Sequence, residues 1–221
     1  MSLTTSFECS LHGVVPAHMY PALMERLNSL CGGKDLQQPL SEHVLGFIPA
    51  VITPHGPARN DDVMLRLQSS YDPNGDTRNL SQRQWFLCQQ GHPDPHMSTH
   101  ATVRPVLYST LDGPDVLKFV SLLGYRYEFG YIQEGTWFVC QDRFKITVSQ
   151  VFKLNRPSDL STKTPCLSDG AWLIEVTVQG VTQDQVKRVP DDLTVVKTWL
   201  DGVAKLENVD YLYLQNKIRY P

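Results

Sequence analysis

The stretch that decides the fold is residues 125–154, which read YRYEFGYIQEGTWFVCQDRFKITVSQVFKL. Side chains of opposite character alternate along it, a period of two that is typical of β-strands with one buried face. A short turn at Glu134-Gly135 is expected to divide the stretch into two strands of a hairpin. The alternation predicts that one face of the first strand carries four aromatic residues: Tyr125, Tyr127, Phe129 and Tyr131. In the second strand, it predicts a polar face: Lys145, Thr147, Ser149 and Lys153.

The rest of the chain extends this sheet. Further strands are expected at about 5–14, 42–52, 62–71, 83–90, 99–110 and 172–179. Apolar stripes of helical period predict three helices, near residues 17–31, 112–123 and 191–206. Asp112 is the expected N-cap of the second helix, with Asp115 as the partner in a near capping box. About eight strands with few helices predict an α+β chain, a single antiparallel β-barrel domain over 1–221 with flanking helices.

The composition excludes several classes of protein. A net charge of −3 does not suit a protein that binds the phosphate backbone of nucleic acids, which needs clustered Lys and Arg. The five cysteines are widely spaced and form no CxxC pair, so neither a zinc ribbon nor a redox dithiol is expected. Residues 1–6 do not resemble a secretory signal, and no apolar stretch is long enough to span a bilayer. We therefore expect an intracellular, soluble protein with reduced thiols.

The most metal-like pattern has four members spaced four residues apart: Cys88, His92, His96 and His100. On a helix these side chains would share one face and resemble a metal site. However, Gly91, Pro93 and Pro95 interrupt any helix here, so a solvated loop is expected instead. The chain also lacks a GxSxG elbow, a P-loop and a dinucleotide-binding glycine motif. We therefore expect no catalytic residue, no metal and no cofactor.

Two sets of residues are candidates for contact with a protein partner. The first is a continuous apolar run near the C-terminus: Tyr211, Leu212, Tyr213 and Leu214. Because its apolar residues do not alternate, the run is expected either to form the last barrel strand or to stay exposed for a partner. The second set comprises those aromatic residues of the central hairpin that prove exposed: Tyr125, Tyr127 and Trp137. The aromatic stripe could instead stack bases of single-stranded nucleic acid, although such platforms need flanking positive charge.

Local motifs in a fixed order give the chain a family resemblance. The first strand and helix contain LHGVVPAHMYPALMERLNSLCG at residues 11–32. Later segments read HATVRPVLYS at 100–109, FVSLLGYRYEFGYIQEGTWF at 119–138 and FKITVSQVFKL at 144–154. No single motif is diagnostic, but together they resemble the Mediator subunit 18 family, which belongs to the head module of a coregulator of RNA polymerase II transcription.

The resemblance implies a structural role in the nucleus. It implies an eight-stranded barrel with helices packed outside, which pairs with a second barrel, Mediator subunit 20. It also implies that the barrel receives the C-terminal helix of subunit 8 and reaches the RNA polymerase II machinery through the head module. These are protein–protein modes of recognition, so neither direct nucleic-acid binding nor a membrane partner is expected.

The implied barrel is similar in fold to the triphosphate-tunnel (CYTH-like) phosphohydrolases, which supply an alternative function. Such enzymes need charged residues facing into the tunnel, beginning with a Glu-x-Glu-x-Lys signature in the first strand. Here the corresponding strand reads Phe7-Glu8-Cys9-Ser10-Leu11. We expect the inward faces of the later strands to carry Val, Leu, Ile and Phe, which could not neutralise a triphosphate. A non-enzymatic protein is therefore expected, since fold similarity alone does not carry function.

Overall fold

Eight antiparallel strands form a closed barrel in the computed structural model of the chain. The structure describes residues 6–50, 52–53, 56–57, 63–73, 80–113, 115–214 and 218. The barrel strands are β1 Ser6–Val15, β2 Gln38–Pro49, β3 Leu65–Ser70, β4 Trp85–Gln90, β5 Thr102–Leu111, β6 Tyr125–Cys140, β7 Phe144–Leu154 and β8 Trp172–Val181. Around the barrel the order is β7-β8-β1-β5-β4-β3-β2-β6, and β6 pairs with β7 to close it. The predicted eight-stranded antiparallel barrel is confirmed.

Within the described residues, three α-helices accompany the barrel: α1 Tyr20–Leu30, α2 Val116–Leu122 and α3 Val189–Trp199. The N-cap of α2 is Asp115, whose carboxylate accepts a hydrogen bond from the Lys118 amide, so the assignment of Asp112 as N-cap was wrong. The third helix ends at Trp199, so Leu206, which was predicted to lie within it, is outside the helix. None of the helices in the described part of the chain has the length and apolar character that a bilayer crossing requires.

The central hairpin turns later than the sequence pattern suggested. Residues 125–140 form one strand, and the turn lies at 141–143, where Gln141 and Asp142 adopt positive φ angles of 53° and 54°. Gly135 instead lies inside β6, between its neighbours Ser149 and Leu40. A Cβ atom at Gly135 would come within 2.1 Å of the Val148 carbonyl oxygen. Glycine therefore permits a close approach of two strands here, and the predicted turn at Glu134-Gly135 was wrong.

A β-bulge divides the aromatic stripe of β6 between the two faces of the barrel. Gly46 pairs with Phe129 and the next residue, Phe47, pairs with Tyr127, so Glu128 has no partner on β2. One extra residue in a strand reverses the side-chain alternation on either side of it. Tyr127 therefore packs on the outer face with Phe47, at a ring-centroid distance of 6.1 Å. The prediction that the four aromatic residues share one face was wrong.

The apolar core lies outside the barrel, beneath the helices. One cluster of buried residues joins the outer faces of β1, β6, β7 and β8 to α1 and α3, and includes Leu11, Leu27 and Leu193. A second, smaller cluster includes Trp85, Val116 and Val120 and lies between β2, β3, β4 and α2. Because an eight-stranded barrel has no room for a helix inside it, the helix-covered face is the outer one. The other face of each strand must then line the barrel interior.

Candidate functional site

The short helix α2 presents an apolar face to solvent. Leu122 is 71% exposed, Phe119 44% and Leu123 41%. Beside them lies a surface groove of about 470 Å³, lined by Thr110, Leu111, Asp112, Gly113, Asp115, Val116, Lys118, Phe119 and Leu122. Contiguous exposed apolar surface of this kind marks sites of interaction on soluble proteins. The sequence carried a signal for this face, because residues 116–123 contain more large apolar residues than one side of a short helix can bury.

The apolar run near the C-terminus forms a 3-10 helix, Tyr211–Leu214, and not a barrel strand. Tyr213 is 85% exposed and Tyr211 is 41% exposed, while Leu214 is partly buried. The side chain of Leu212 lies outside the described residues. Of the two predicted alternatives, the structure therefore favours exposure over burial in the barrel wall.

The three aromatic candidates of the hairpin are all partly buried, and the structure does not bring them together. Tyr125 and Tyr127 pack on the second apolar cluster, beneath α2. Trp137 pairs in register with Thr147 and faces the barrel interior, where the Lys145 ammonium lies 5.6 Å from its ring centroid. The bulge is the reason that these residues, alternate in sequence, lie on opposite sides of the sheet.

The barrel interior is polar, which contradicts the expectation of an apolar lining. The strand registers place a set of ionisable and polar side chains on this inner face: Glu8, Ser10, His12, Glu42, Arg66, Arg104, Tyr108, Tyr131, Gln133, Lys145, Thr147, Ser149, Glu175, Thr177 and Gln179. Most of the Val, Leu and Ile residues of the same strands face outward into the clusters under the helices, whereas Val44, Val106 and Phe129 share the inner face. Alternation predicted two distinct faces, but it does not tell which of them turns inward.

The carboxylate of Glu8 is the centre of one interior network. Arg104 donates to Glu8 Oε1 through Nη2 at 2.8 Å and through Nε at 3.1 Å. Tyr108 and Gln179 donate to Glu8 Oε2 at 3.4 and 3.2 Å. The side chains of Arg104 and Glu8 keep 11% and 5% of their surface accessible. Glu8 and Arg104 therefore form a buried, charge-assisted pair, and both oxygens of the carboxylate accept hydrogen bonds.

Glu175 is the centre of a second interior network. Its carboxylate lies 3.4 Å from His12 Nε2 and accepts hydrogen bonds from Gln133 at 3.1 Å and Thr147 at 3.5 Å. Burial alone would raise the pKa of Glu175, but the contact with His12 and the hydrogen bond from Gln133 lower it below its usual range. Burial raises the pKa of the neighbouring Glu42 carboxyl and lowers that of the Arg66 guanidinium. The interior thus shifts the pKa values of two neighbouring acids, Glu42 and Glu175, in opposite directions.

The metal-like pattern and one buried histidine can also be placed. Cys88 is buried on the inner face of β4, whereas His92, His96 and His100 lie on the exposed loop that follows, so the four side chains do not converge. His43 is fully buried on the outer side of β2, and its Nδ1 lies 3.0 Å from Arg83 Nη1. Burial, aided by the Arg83 charge, lowers the pKa of His43 to about 4.

We expect His43 to make the protein less stable as the pH falls from about 6.5 towards 4. The histidine of the unfolded chain titrates near pH 6.5, so in this window the unfolded state binds the extra proton and stability falls with pH. Between pH 7 and pH 5, urea unfolding should show a loss about 2 kcal/mol larger for the native chain than for His43→Gln. Equal losses of stability in the two proteins would show that His43 does not cause this pH dependence.

Comparisons with known proteins agree with this architecture. A Mediator of RNA polymerase II transcription subunit 18 from Schizosaccharomyces pombe is 26% identical over 211 residues, which cover 91% of this chain and 98% of the relative. The protein of the same name from Aedes aegypti is 33% identical over 112 residues, 49% of this chain and 47% of the relative. A chain of the Schizosaccharomyces pombe Mediator head module superposes with a TM-score of 0.74 at 23% identity, covering 92% of this chain and 98% of its own.

The barrel fold also occurs in proteins that are not named as Mediator subunits, whereas the sequence of this chain matches one particular family. The Mimivirus capping enzyme triphosphatase superposes with a TM-score of 0.52 at 9% identity over 89% of each chain, and this likeness concerns the barrel fold alone. Residues 7–217 match the family described as Med18 protein. The match spans all eight barrel strands and the three helices, from β1 to beyond the 3-10 helix at Tyr211–Leu214. The chain therefore belongs to the Med18 protein family.

Proposed function

We propose that this chain is a non-enzymatic structural subunit of the Mediator head module, and that it acts in the nucleus as a coregulator of RNA polymerase II transcription. The observation that carries the proposal is the family match over residues 7–217. Relatives from Schizosaccharomyces pombe and Drosophila melanogaster that cover 91% and 93% of the chain are named as subunit 18 of Mediator. A protein that works through contacts needs exposed apolar surface, and the α2 face provides it.

The partners that we propose are Mediator subunit 20 and the C-terminal helix of subunit 8. The groove beside α2 supports docking of a helix, because an amphipathic helix lays its apolar face into an apolar groove. The exposed tyrosines Tyr211 and Tyr213 are the second proposed contact surface, together with the adjoining Leu212 and Leu214. Tyr125, Tyr127 and Trp137 are only partly exposed, so they rank below both surfaces as partner contacts.

Two features of the barrel interior support a role without catalysis. The inward positions of β1 are Glu8, Ser10 and His12, so a single carboxylate stands where a Glu-x-Glu-x-Lys strand supplies two carboxylates and a lysine. That carboxylate is already bonded to Arg104. The base-stacking alternative loses support as well, because the bulge turns Phe129 and Tyr131 into the barrel and leaves no continuous aromatic platform outside.

The test is co-expression of this chain with tagged subunit 20 and the C-terminal segment of subunit 8, followed by gel filtration. We expect a stoichiometric ternary complex that Leu122→Asp disrupts, because a charge in the apolar groove is costly to bury. The matched control is Val195→Asp on α3, where another apolar residue is 48% exposed and assembly should persist. Tyr213→Asp tests the second surface in the same way. A native chain that elutes alone would contradict the scaffold proposal, and phosphate release from a triphosphate with added metal would favour the enzyme.

A further inference from the structure

The loop that joins β7 to β8, residues 155–171, contains an exposed threonine that is followed by proline. Residues 161–166 are all exposed, and within them Thr164–Pro165 forms a two-residue strand. This strand pairs with the end of β7, where the partner of Thr164 is Lys153. A residue before proline is confined to extended backbone, which is the form in which protein kinases bind a substrate segment. The segment is therefore extended and accessible at the threonine hydroxyl.

Within the described residues, the segment is held to the barrel by its two-residue ladder and a few polar contacts. Pro165 has no N–H to donate, which weakens the ladder at that point. The amide of Cys166 donates to the Val151 carbonyl oxygen at 2.8 Å, and Lys163 forms an ion pair with Glu134. Short segments with exposed backbone hydrogen bonds open locally at low cost. An enzyme can therefore draw this segment away from β7 without unfolding the barrel.

The charges around the loop distinguish Thr164 from its other hydroxyl groups. Four other hydroxyl residues of the loop precede or contact an aspartate: Ser158, Ser161, Thr162 and Ser168. A phosphate on any of these residues would be repelled by the neighbouring carboxylate. Thr164 instead follows Lys163, precedes a proline and lies opposite Lys153. Thr164 is therefore the hydroxyl residue of this loop whose surroundings favour added negative charge.

Lys153 is the residue that can receive such a charge. Side chains of directly opposite residues in an antiparallel pair have Cβ atoms about 5 Å apart, well within the reach of a lysine. Lys153 is exposed, and it forms no ion pair within the part of the chain that the structure describes. Its ammonium group is therefore able to pair with a phosphate on Thr164 without losing another partner.

We propose that Thr164 is phosphorylated by a proline-directed protein kinase, and that Lys153 pairs with the phosphate. A kinase pocket that offers no acceptor for an N–H after the threonine admits proline and rejects other residues. In the reaction, the Thr164 hydroxyl oxygen bonds to the γ-phosphorus of ATP and the bond from that phosphorus to the β–γ bridging oxygen breaks. ADP and the hydroxyl proton leave. The added group carries about two negative charges at neutral pH.

The test treats the full chain with magnesium ATP and two purified proline-directed kinases in parallel, one mitogen-activated and one cyclin-dependent. Mass spectrometry of the intact protein counts the phosphoryl groups, and peptide fragmentation locates them. We expect the native chain to be modified at Thr164. Pro165→Ala should slow this modification about tenfold or more, because the new N–H finds no acceptor in the kinase pocket.

The matched control is the other Thr-Pro of the sequence, Thr53-Pro54. Thr53→Ala should still be modified at Thr164, whereas Thr164→Ala should lose that modification. A native chain that neither kinase modifies at Thr164 would overturn the proposal. Equal rates of modification for the native chain and Pro165→Ala would overturn it too, since the proline would then play no part in recognition.

The role of Lys153 is tested by phosphorus NMR of the phosphorylated chain. A phosphate beside a cation loses its second proton at a lower pH than one without a cation, because the positive charge favours the dianion. Lys153→Met should therefore move the titration of the phosphate to higher pH. Lys197→Met, on the exposed surface of α3, should leave the titration unchanged. Identical titrations in the native chain and Lys153→Met would contradict the pairing with Lys153.

Discussion

Replacing Glu8 with alanine is expected to lower the free energy of unfolding by about 3–5 kcal/mol, because it leaves the buried Arg104 guanidinium without its carboxylate. The pair keeps little accessible surface, so water cannot take the place of the lost partner. Tyr108 and Gln179 would lose their acceptor in the same step. Chemical unfolding of the native and variant chains at neutral pH measures the difference.

A double replacement distinguishes the effect of the two charges from the effect of the volume that the two side chains fill. Glu8→Leu combined with Arg104→Met removes both charges and keeps most of the volume, so we expect it to recover most of the lost stability. The matched control is the exposed pair of Arg126 and Glu128, whose nitrogen and oxygen lie 3.1 Å apart. Loss of that pair should cost less than about 1 kcal/mol. A Glu8→Ala effect as small as the control would show that the interior is hydrated enough to solvate Arg104.

Replacing Phe138 with alanine is expected to cost about 3–5 kcal/mol. Phe138 is fully buried on the outer face of β6 and belongs to the cluster that joins the barrel to α1 and α3. Its removal would leave a cavity at the junction of sheet and helices, where close packing prevents full collapse. The same unfolding experiment measures the loss.

Val139 provides the control for Phe138, since it is the next residue on the same strand and is 43% exposed. Val139→Ala should change the free energy of unfolding by no more than about 0.5 kcal/mol. Similar losses in the free energy of unfolding would mean that, in solution, Phe138 is no more buried than Val139.

The fold could be predicted from sequence because strand alternation is a local property. Residues 125–154 indicated a long hairpin, and the strands around it indicated a barrel. The turn was misplaced because Gly135 resembles a turn residue, while its real role depends on the approach of Val148 from the neighbouring strand. The bulge at Glu128 was missed for the same reason, since it is defined by pairing with β2 and not by the letters of β6.

The site was harder to predict because inside and outside are tertiary properties. Most strands alternate apolar and polar side chains, and only the position of the helices decides that the apolar face is outward. The ion pair of Glu8 and Arg104 joins strands that are 96 residues apart in sequence, which no local pattern reveals. The apolar face of α2 was not predicted, although Phe119, Leu122 and Leu123 exceed what one helix face can bury and could have indicated it.

The pairing of the first strand determines when the barrel can close during synthesis of the chain. Both neighbours of β1 lie far downstream: β5 begins at Thr102 and β8 at Trp172. Beyond Ser10, where the pairing with β5 stops, His12 exchanges two backbone hydrogen bonds with Glu207. During synthesis, the first strand leaves the ribosome long before any of these partners and must wait unpaired. Such distant pairings are slow to form, so the ring of strands can close only when most of the chain has been translated.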